Sequence, residues 1–112
     1  MVLGFLAVRA KIRIMLIHIV CWKYKSETVA AVRDEHRRRL QELPTLIPDI
    51  LSFDVGADIL HLERSFDTGL VAHFVDQADL DRYTVHPHHQ LVAAIGKQIS
   101  EKVVSVDFLR PE

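Results

Sequence analysis

Leu16-Ile17-His18-Ile19-Val20-Cys21-Trp22-Lys23-Tyr24 decides the fold of this chain. β-branched and aromatic residues fill it, and these favour extended backbone. It reads as a strand over 17–24. Period two puts His18, Val20, Trp22 and Tyr24 on one face, with Ile17, Ile19 and Cys21 on the other. Both faces are largely apolar, so both need cover. One layer of helices covers one face of a sheet, and the second face calls for a second layer.

Outward from this strand, the chain alternates in a simple order. Ser26 is expected to cap a helix running to Leu43, with Val29, Val32, His36, Leu40 and Leu43 as its apolar stripe. Pro44 and Pro48 are read as the bounds of a turn. A second strand follows over 50–55, ended or bulged by Gly56. After a polar loop over 57–65, a third strand covers 66–75 with Gly69 inside it. A broken helix is read over 77–83 and 87–100. Its second part carries Leu91, Val92, Ile95 and Ile99 as a stripe. A last strand covers 103–109.

The order β-α-β-β-α-β is the split βαβ, ferredoxin-like plan of the α+β class, with helices on one face of an antiparallel sheet. The bare face then holds Ile17, Ile19, Cys21, Val71 and either Val103 or Val104. That is too much apolar surface to leave in water. Two sheets packed face to face would cover it, so a homodimer is expected.

Composition agrees with one soluble domain. The 112 residues are 49% hydrophobic and 26% charged, with net charge -1, so no global field favours nucleic acid or an anionic membrane. Arg37-Arg38-Arg39 stands among Asp34, Glu35 and Glu42 and reads as a solvated helix face. Cys21 is the only cysteine, which rules out an internal disulfide and fits a cytoplasmic protein. It is expected to be buried and inert. Residues 1–14 are apolar first and basic afterwards, the reverse of a secretory signal. They are read as a dispensable extension, with Met15 as an alternative start, ahead of one domain over 15–110.

Leu80-Asp81-Arg82-Tyr83-Thr84-Val85-His86-Pro87-His88-His89 carries the candidate chemistry. One helical turn places Leu80 and Tyr83 on a common face. His86-Pro87 breaks it, and Pro suits the first position of the next helix. His89 then lies in a first turn where the helix dipole disfavours imidazolium, so it suits a general base. Tyr83 suits a donor to a carbonyl or enolate oxygen. His18 shares the helix-covered face with Val20 and Trp22. His86 is read as holding the turn. His36 with Leu40 either lines a pocket or is a satisfied core histidine. The spacing of His86, His88 and His89 matches no standard tetrahedral metal set, and no carboxylate cluster defines a magnesium site, so no metal is expected.

Several segments together resemble the stress-responsive α/β-barrel domain family. They are His18-Ile19-Val20-Cys21-Trp22-Lys23, Leu46-Ile47-Pro48, Phe53-Asp54-Val55-Gly56, Glu63-Arg64-Ser65-Phe66-Asp67, Phe74 and Tyr83-Thr84-Val85-His86-Pro87-His88-His89. The likeness spans about 15–109. It implies a homodimer of ferredoxin-like subunits forming an α+β barrel. Its members include plant stress proteins and a plant polyketide cyclase that closes a linear chain by an intramolecular aldol reaction without a cofactor. That cyclase's working Tyr and His fall on Tyr83 and His89, and a first-strand His falls on His18. Thr68 stands where the cyclase has a further His, and His36 and Arg37 stand where it has aromatics, so the same substrate is not implied. The expected pocket wall is His18, Val20, Trp22, His36, Leu40, Thr68, Leu70, His86 and Leu91. The first reading is cofactor-free acid–base chemistry on a small, apolar, carbonyl-bearing ligand of polyketide type. The alternatives are a non-enzymatic stress-protective barrel and, third, a cofactor-free monooxygenase of a related dimeric barrel. Pocket volume separates the first two.

Overall fold

The computed structural model describes residues 14–111. The proposed extension over 1–14 falls outside the described residues except for Ile14, which is the first residue of strand β1. In chain order the elements are β1 (Ile14–Tyr24), α1 (Ala30–Leu46), β2 (Ser52–Ala57), β3 (Thr68–Phe74), α2 (Gln77–Val85), α3 (Pro87–Ile99) and β4 (Ser100–Pro111). The four strands form one antiparallel sheet in the order β2-β3-β1-β4. This is the ferredoxin-like plan. β1 sits between β3 and β4, so the strand with two apolar faces lies inside the sheet.

Register assigns the faces. Leu16, His18, Val20 and Trp22 stand opposite Phe74, Ala72, Leu70 and Thr68 on β3, and opposite Leu109, Asp107, Ser105 and Val103 on β4. Partners directly across a ladder share a face. Leu16, Trp22, Tyr24, Leu70, Ala72 and Phe74 are buried there against Leu40, Leu43, Ile47, Tyr83 and Val92. The opposite face holds Ile19, Cys21 and Val71, half-buried, beside exposed Val104, Val106 and Phe108. Ile17 on that face is already buried. Of the two valines expected there, Val104 is the one, paired with Cys21, while Val103 faces the helices. Cys21 is half-buried rather than fully buried, and burial pushes its thiol pKa up.

Several expected boundaries move. Val29, without a side-chain cap, starts α1 in place of Ser26. Lys25 to Thr28 is instead a turn closed by the Thr28 N–H on the Lys25 carbonyl. Val29 and Val32 are consequently exposed, and the buried stripe is His36, Leu40 and Leu43. Pro44 lies inside α1 and does not end it. It forfeits only the bond to the Leu40 carbonyl, and the Ile47 N–H still reaches the Leu43 carbonyl at 2.9 Å. Gly56 neither ends nor bulges β2; it pairs with Gly69 in an unbroken ladder. β3 starts at Thr68 because Asp67 is otherwise engaged. Its N–H donates to the Trp22 carbonyl at 2.9 Å, and its carboxylate accepts from the Tyr24 N–H at 2.8 Å.

Helix α3 meets the sheet through Val92 and Gly96. Leu91, expected on that stripe, is 65% exposed and faces a surface groove beside Arg38 and Leu46. Gly96 sets this rotation. A Cβ there would stand 2.8 Å from His36 Nε2 and 2.8 Å from Trp22 Nε1. Both rings are buried and cannot yield cheaply. Gly96→Ala should therefore destabilise the fold by about 1–2 kcal/mol, even though alanine favours helix by about 1 kcal/mol. Chemical denaturation checks this, and a gain in stability would contradict the close approach.

Candidate functional site

The junction of α2 and α3 is built by His86. Its backbone N–H donates to the Tyr83 carbonyl at 3.1 Å, closing α2. Its Nδ1 accepts from the His88 N–H at 3.2 Å, and Pro87 follows as the first residue of α3. The His86 and His88 rings stack at 5.4 Å. His86 is thus a cap and is not on the cavity wall, where it was expected. The break folds α3 back so that His89 returns over Tyr83, with ring centroids 4.2 Å apart.

These two rings face a cavity of about 620 Å³ between α3 and the helix side of β1 and β4. His18, Val20 and Trp22 line it from β1, Leu70 from β3 and Leu40 from α1. Val103 and Ser105 close the β4 side, and Thr84, Ala93 and Lys97 complete the helical wall. Ser100, Glu101 and Lys102 also line the cavity at the start of β4, so an apolar floor of Val20, Trp22, Leu40 and Leu70 is joined by charged and hydroxyl groups. The volume suits a small organic ligand. Of the residues expected there, the structure brings together His18, Val20, Trp22, Leu40, Leu70, Tyr83 and His89. It places His36, Thr68, His86 and Leu91 elsewhere.

Tyr83 is nearly fully buried, and burial raises its phenol pKa well above the ordinary value, so the hydroxyl keeps its proton. His89 Nδ1 lies 3.0 Å from the Thr84 carbonyl. A carbonyl only accepts, so Nδ1 carries the proton and Nε2 is the bare, basic nitrogen. The His89 pKa is lowered, first by burial and further by the neighbouring His18 and His86 imidazoles, while the Thr84 bond opposes the shift. The helix start, which suggested this lowering from sequence, is not its main cause. The neutral ring can therefore accept a proton near pH 7.

His36 and Thr68 belong to a buried chain of hydrogen bonds behind the wall. Arg37 Nη1 donates to Thr68 Oγ1 at 2.9 Å, and Thr68 Oγ1 lies 2.8 Å from the Tyr24 hydroxyl. The Tyr24 hydroxyl in turn lies 2.7 Å from His36 Nδ1. With Arg37 donating first, Tyr24 donates to Nδ1 and the His36 proton sits on Nε2. That nitrogen has no hydrogen-bond partner among the described residues, and its ring meets Trp22 edge-on at 5.1 Å. His36 is a core histidine. Burial, and then Arg37, lower its pKa to about 4.

Sequence reasoning missed Asp107. It stands opposite His18 in the β1–β4 ladder, and its carboxylate oxygen lies 2.5 Å from His18 Nδ1. Only the register of the β1–β4 ladder, unbroken from Ile14 to Lys23, reveals the pair. Among the described residues there is no group of three or more His, Cys, Asp or Glu side chains that could hold a metal ion. No helix among them is long and apolar enough to cross a membrane.

The family model described as the stress responsive A/B barrel domain matches residues 16–109. No curated protein matches the sequence. Among solved structures, a dimeric ferredoxin-like protein of unknown function from Thermobifida fusca superposes with a TM-score of 0.78 at 23% identity, over 86% of this chain and 91% of that one. A hydroxynitrile lyase from Passiflora edulis gives a TM-score of 0.78 at 20% identity, over 86% and 93%. A Dabb family protein with a ferredoxin-like fold from Mesorhizobium loti gives 0.72 at 22% identity, over 86% and 96%.

The His36 geometry sets a pH dependence. Its pKa is depressed on folding, so the unfolded chain binds the extra proton. Stability from this group is complete above about pH 6.5 and is lost as pH falls toward 4. The loss is on the order of 3 kcal/mol. His36→Gln should flatten that part of the stability–pH curve, measured by urea unfolding across the window. An unchanged slope would contradict a buried neutral imidazole.

Proposed function

The chain belongs to the stress responsive A/B barrel domain family, and on that premise we propose that it is a small-ligand-binding homodimer whose cavity performs cofactor-free acid–base chemistry on an apolar, carbonyl-bearing compound of polyketide type. The observation that carries this reading is the Tyr83–His89 pair, 4.2 Å between rings, at the wall of a cavity of about 620 Å³. His89 Nε2 takes a proton from carbon next to a ligand carbonyl, and the C–H electron pair moves onto the carbonyl oxygen. The Tyr83 hydroxyl donates a hydrogen bond to that oxygen as its charge develops. The enolate carbon bonds to a second carbonyl of the same chain, and the resulting alkoxide takes the proton back from His89. The ring closes with no net gain or loss of protons.

The dimer half of the reading rests on the apolar face of Ile19, Cys21, Val71, Val104, Val106 and Phe108, which no helix among the described residues covers. A second sheet packed on it removes that surface from water. The Thermobifida fusca protein, described as dimeric, shares the fold.

The chemistry is tested with 4-phenylbutan-2-one, a carbonyl with an apolar tail, in D₂O. Proton NMR should show deuterium entering beside the carbonyl faster with wild type than with buffer. His89→Ala should lower the enzymatic rate about 100-fold or more. Tyr83→Phe should lower rate more than binding, since its hydroxyl acts on developing charge. A hydroxynitrile serves as second probe, following the activity named for the Passiflora edulis protein. Wild-type exchange and cleavage no faster than those of His89→Ala would overturn the catalytic reading in favour of a non-enzymatic barrel.

The dimer is tested by sedimentation velocity. Wild type should run as a dimer at micromolar concentration, and Ile19→Asp should dissociate or unfold it. A well-folded wild-type monomer would contradict the arrangement.

A further inference from the structure

We propose that Asp107 is a positioning residue that holds His18 as a second proton-transfer group in the cavity. This deepens the reading of the same site and rests on it for its chemistry, though not for its geometry. His18 and Asp107 face each other directly across the β1–β4 ladder, on the helix side of the sheet. The carboxylate oxygen lies 2.5 Å from Nδ1. An ionised carboxylate only accepts, so Nδ1 carries the proton and Nε2 is left bare. The imidazole is 13% exposed, while the carboxylate is 40% exposed. The group that meets the ligand is thus the enclosed one, and the group that orients it reaches toward solvent. His18 also packs edge-on against Tyr83 at 5.9 Å and Phe74 at 6.3 Å, which limits ring rotation.

The arrangement repeats that of His89, whose Nδ1 is held by the Thr84 carbonyl at 3.0 Å. Two imidazoles therefore flank Tyr83, each with Nδ1 tied and Nε2 available. One is held by a neutral backbone carbonyl and the other by a carboxylate. The negative charge of Asp107 compensates the positive charge that a proton on His18 Nε2 creates, as in other carboxylate–imidazole pairs. His89, with its ring 4.2 Å from that of Tyr83, stands beside the carbonyl that Tyr83 engages and is placed to remove a proton from the neighbouring carbon. His18 is suited to exchanging a proton with a ligand oxygen: its Nε2 takes the proton of a ligand hydroxyl, or returns it to an alkoxide. The class of ligand this implies carries a hydroxyl or second oxygen as well as the carbonyl engaged by Tyr83.

Nitrogen-resolved NMR of the imidazoles tests the geometry without any ligand. At about pH 8, where an ordinary imidazole is neutral, wild-type His18 should be in the Nδ1–H form. In Asp107→Asn the amide N–H can donate to Nδ1, so His18 should move to the Nε2–H form. His89 should stay in the Nδ1–H form in both proteins, as the internal control. Asp107→Glu should restore part of the Nδ1–H population, which a general loss of packing would not. Backbone amide spectra show that each variant is folded. If Asn distorts the strand, Asp107→Ala gives the same comparison. His18 in the Nε2–H form in wild type, or an unchanged tautomer in all folded variants, would overturn the proposal. A wild type that fails to exchange 4-phenylbutan-2-one, yet shows the expected tautomers, overturns the catalytic reading and leaves the hold of Asp107 on His18 standing. Where exchange occurs, the role in chemistry is read with 4-hydroxy-4-phenylbutan-2-one, whose hydroxyl loses its proton as the bond between the hydroxyl carbon and the carbon beside the ketone breaks to give benzaldehyde and acetone. Asp107→Asn should slow this cleavage at least tenfold with binding of the hydroxyketone little changed; no cleavage by wild type, or an unaltered rate in Asp107→Asn, would remove Asp107 from the chemistry.

Discussion

Tyr83 is the residue on which the core and the cavity both depend. Its ring packs on Phe74 at 5.1 Å and Phe53 at 6.3 Å, which fastens α2 to the sheet. The same ring meets His18 at 5.9 Å and His89 at 4.2 Å, the two imidazoles of the cavity. Such aromatic contacts add about 0.5–1.5 kcal/mol each beyond the area they bury. The consequence is positional. A phenol locked by the core presents its hydroxyl at a fixed place, so the cavity inherits the rigidity of the scaffold. The break at His86-Pro87 is needed for this, because a continuous helix would carry His89 onward and away from Tyr83.

The second constraint is the two-sided sheet. Helices α1, α2 and α3 cover one face, and the cavity forms where α3 diverges from β1 and β4. The other face is apolar, and no helix among the described residues lies over it. The cavity and the uncovered face are thus separated by the thickness of one strand, with His18 on one side of β1 and Ile17 and Ile19 on the other.

Much of the fold was legible because its signals are local. Alternation in β1 and β3 specifies faces, and register only has to match them. His73 could be set on the face opposite Thr68, Leu70 and Ala72 by counting alone, and there it bonds Ser52 at 2.9 Å. What was not legible depended on contacts between elements. Leu91 and Val92 are adjacent in sequence, and periodicity alone leaves the helix free to turn by one residue; Gly96 against Trp22 and His36 decides which faces inward. Pro44 suggested a turn, but one lost bond near the end of a long, well-packed helix is tolerable. In the candidate site, Tyr83, His89 and His18 were visible as residue types in a pattern. Asp107 was not, since nothing in its own segment marks it, and only pairing with β1 brings it to His18. His36 and Thr68 were assigned to the wall because they share faces with wall residues; Trp22 and Tyr24 stand between them and the cavity.

The same packing that fixes Tyr83 also keeps its phenol protonated and His89 neutral, so scaffold and chemistry have one physical origin in burial. The central claim is that a ligand carbonyl occupies the space these two groups share. A crystal structure of the protein with 4-phenylbutan-2-one bound tests it most directly. The account predicts the ketone in the cavity between α3 and β1, with its carbonyl oxygen within hydrogen-bond distance of the Tyr83 hydroxyl and its neighbouring carbon facing His89 Nε2. A ketone bound elsewhere, or a cavity filled by side chains of the protein with the Tyr83 hydroxyl bonded to one of them, would contradict it.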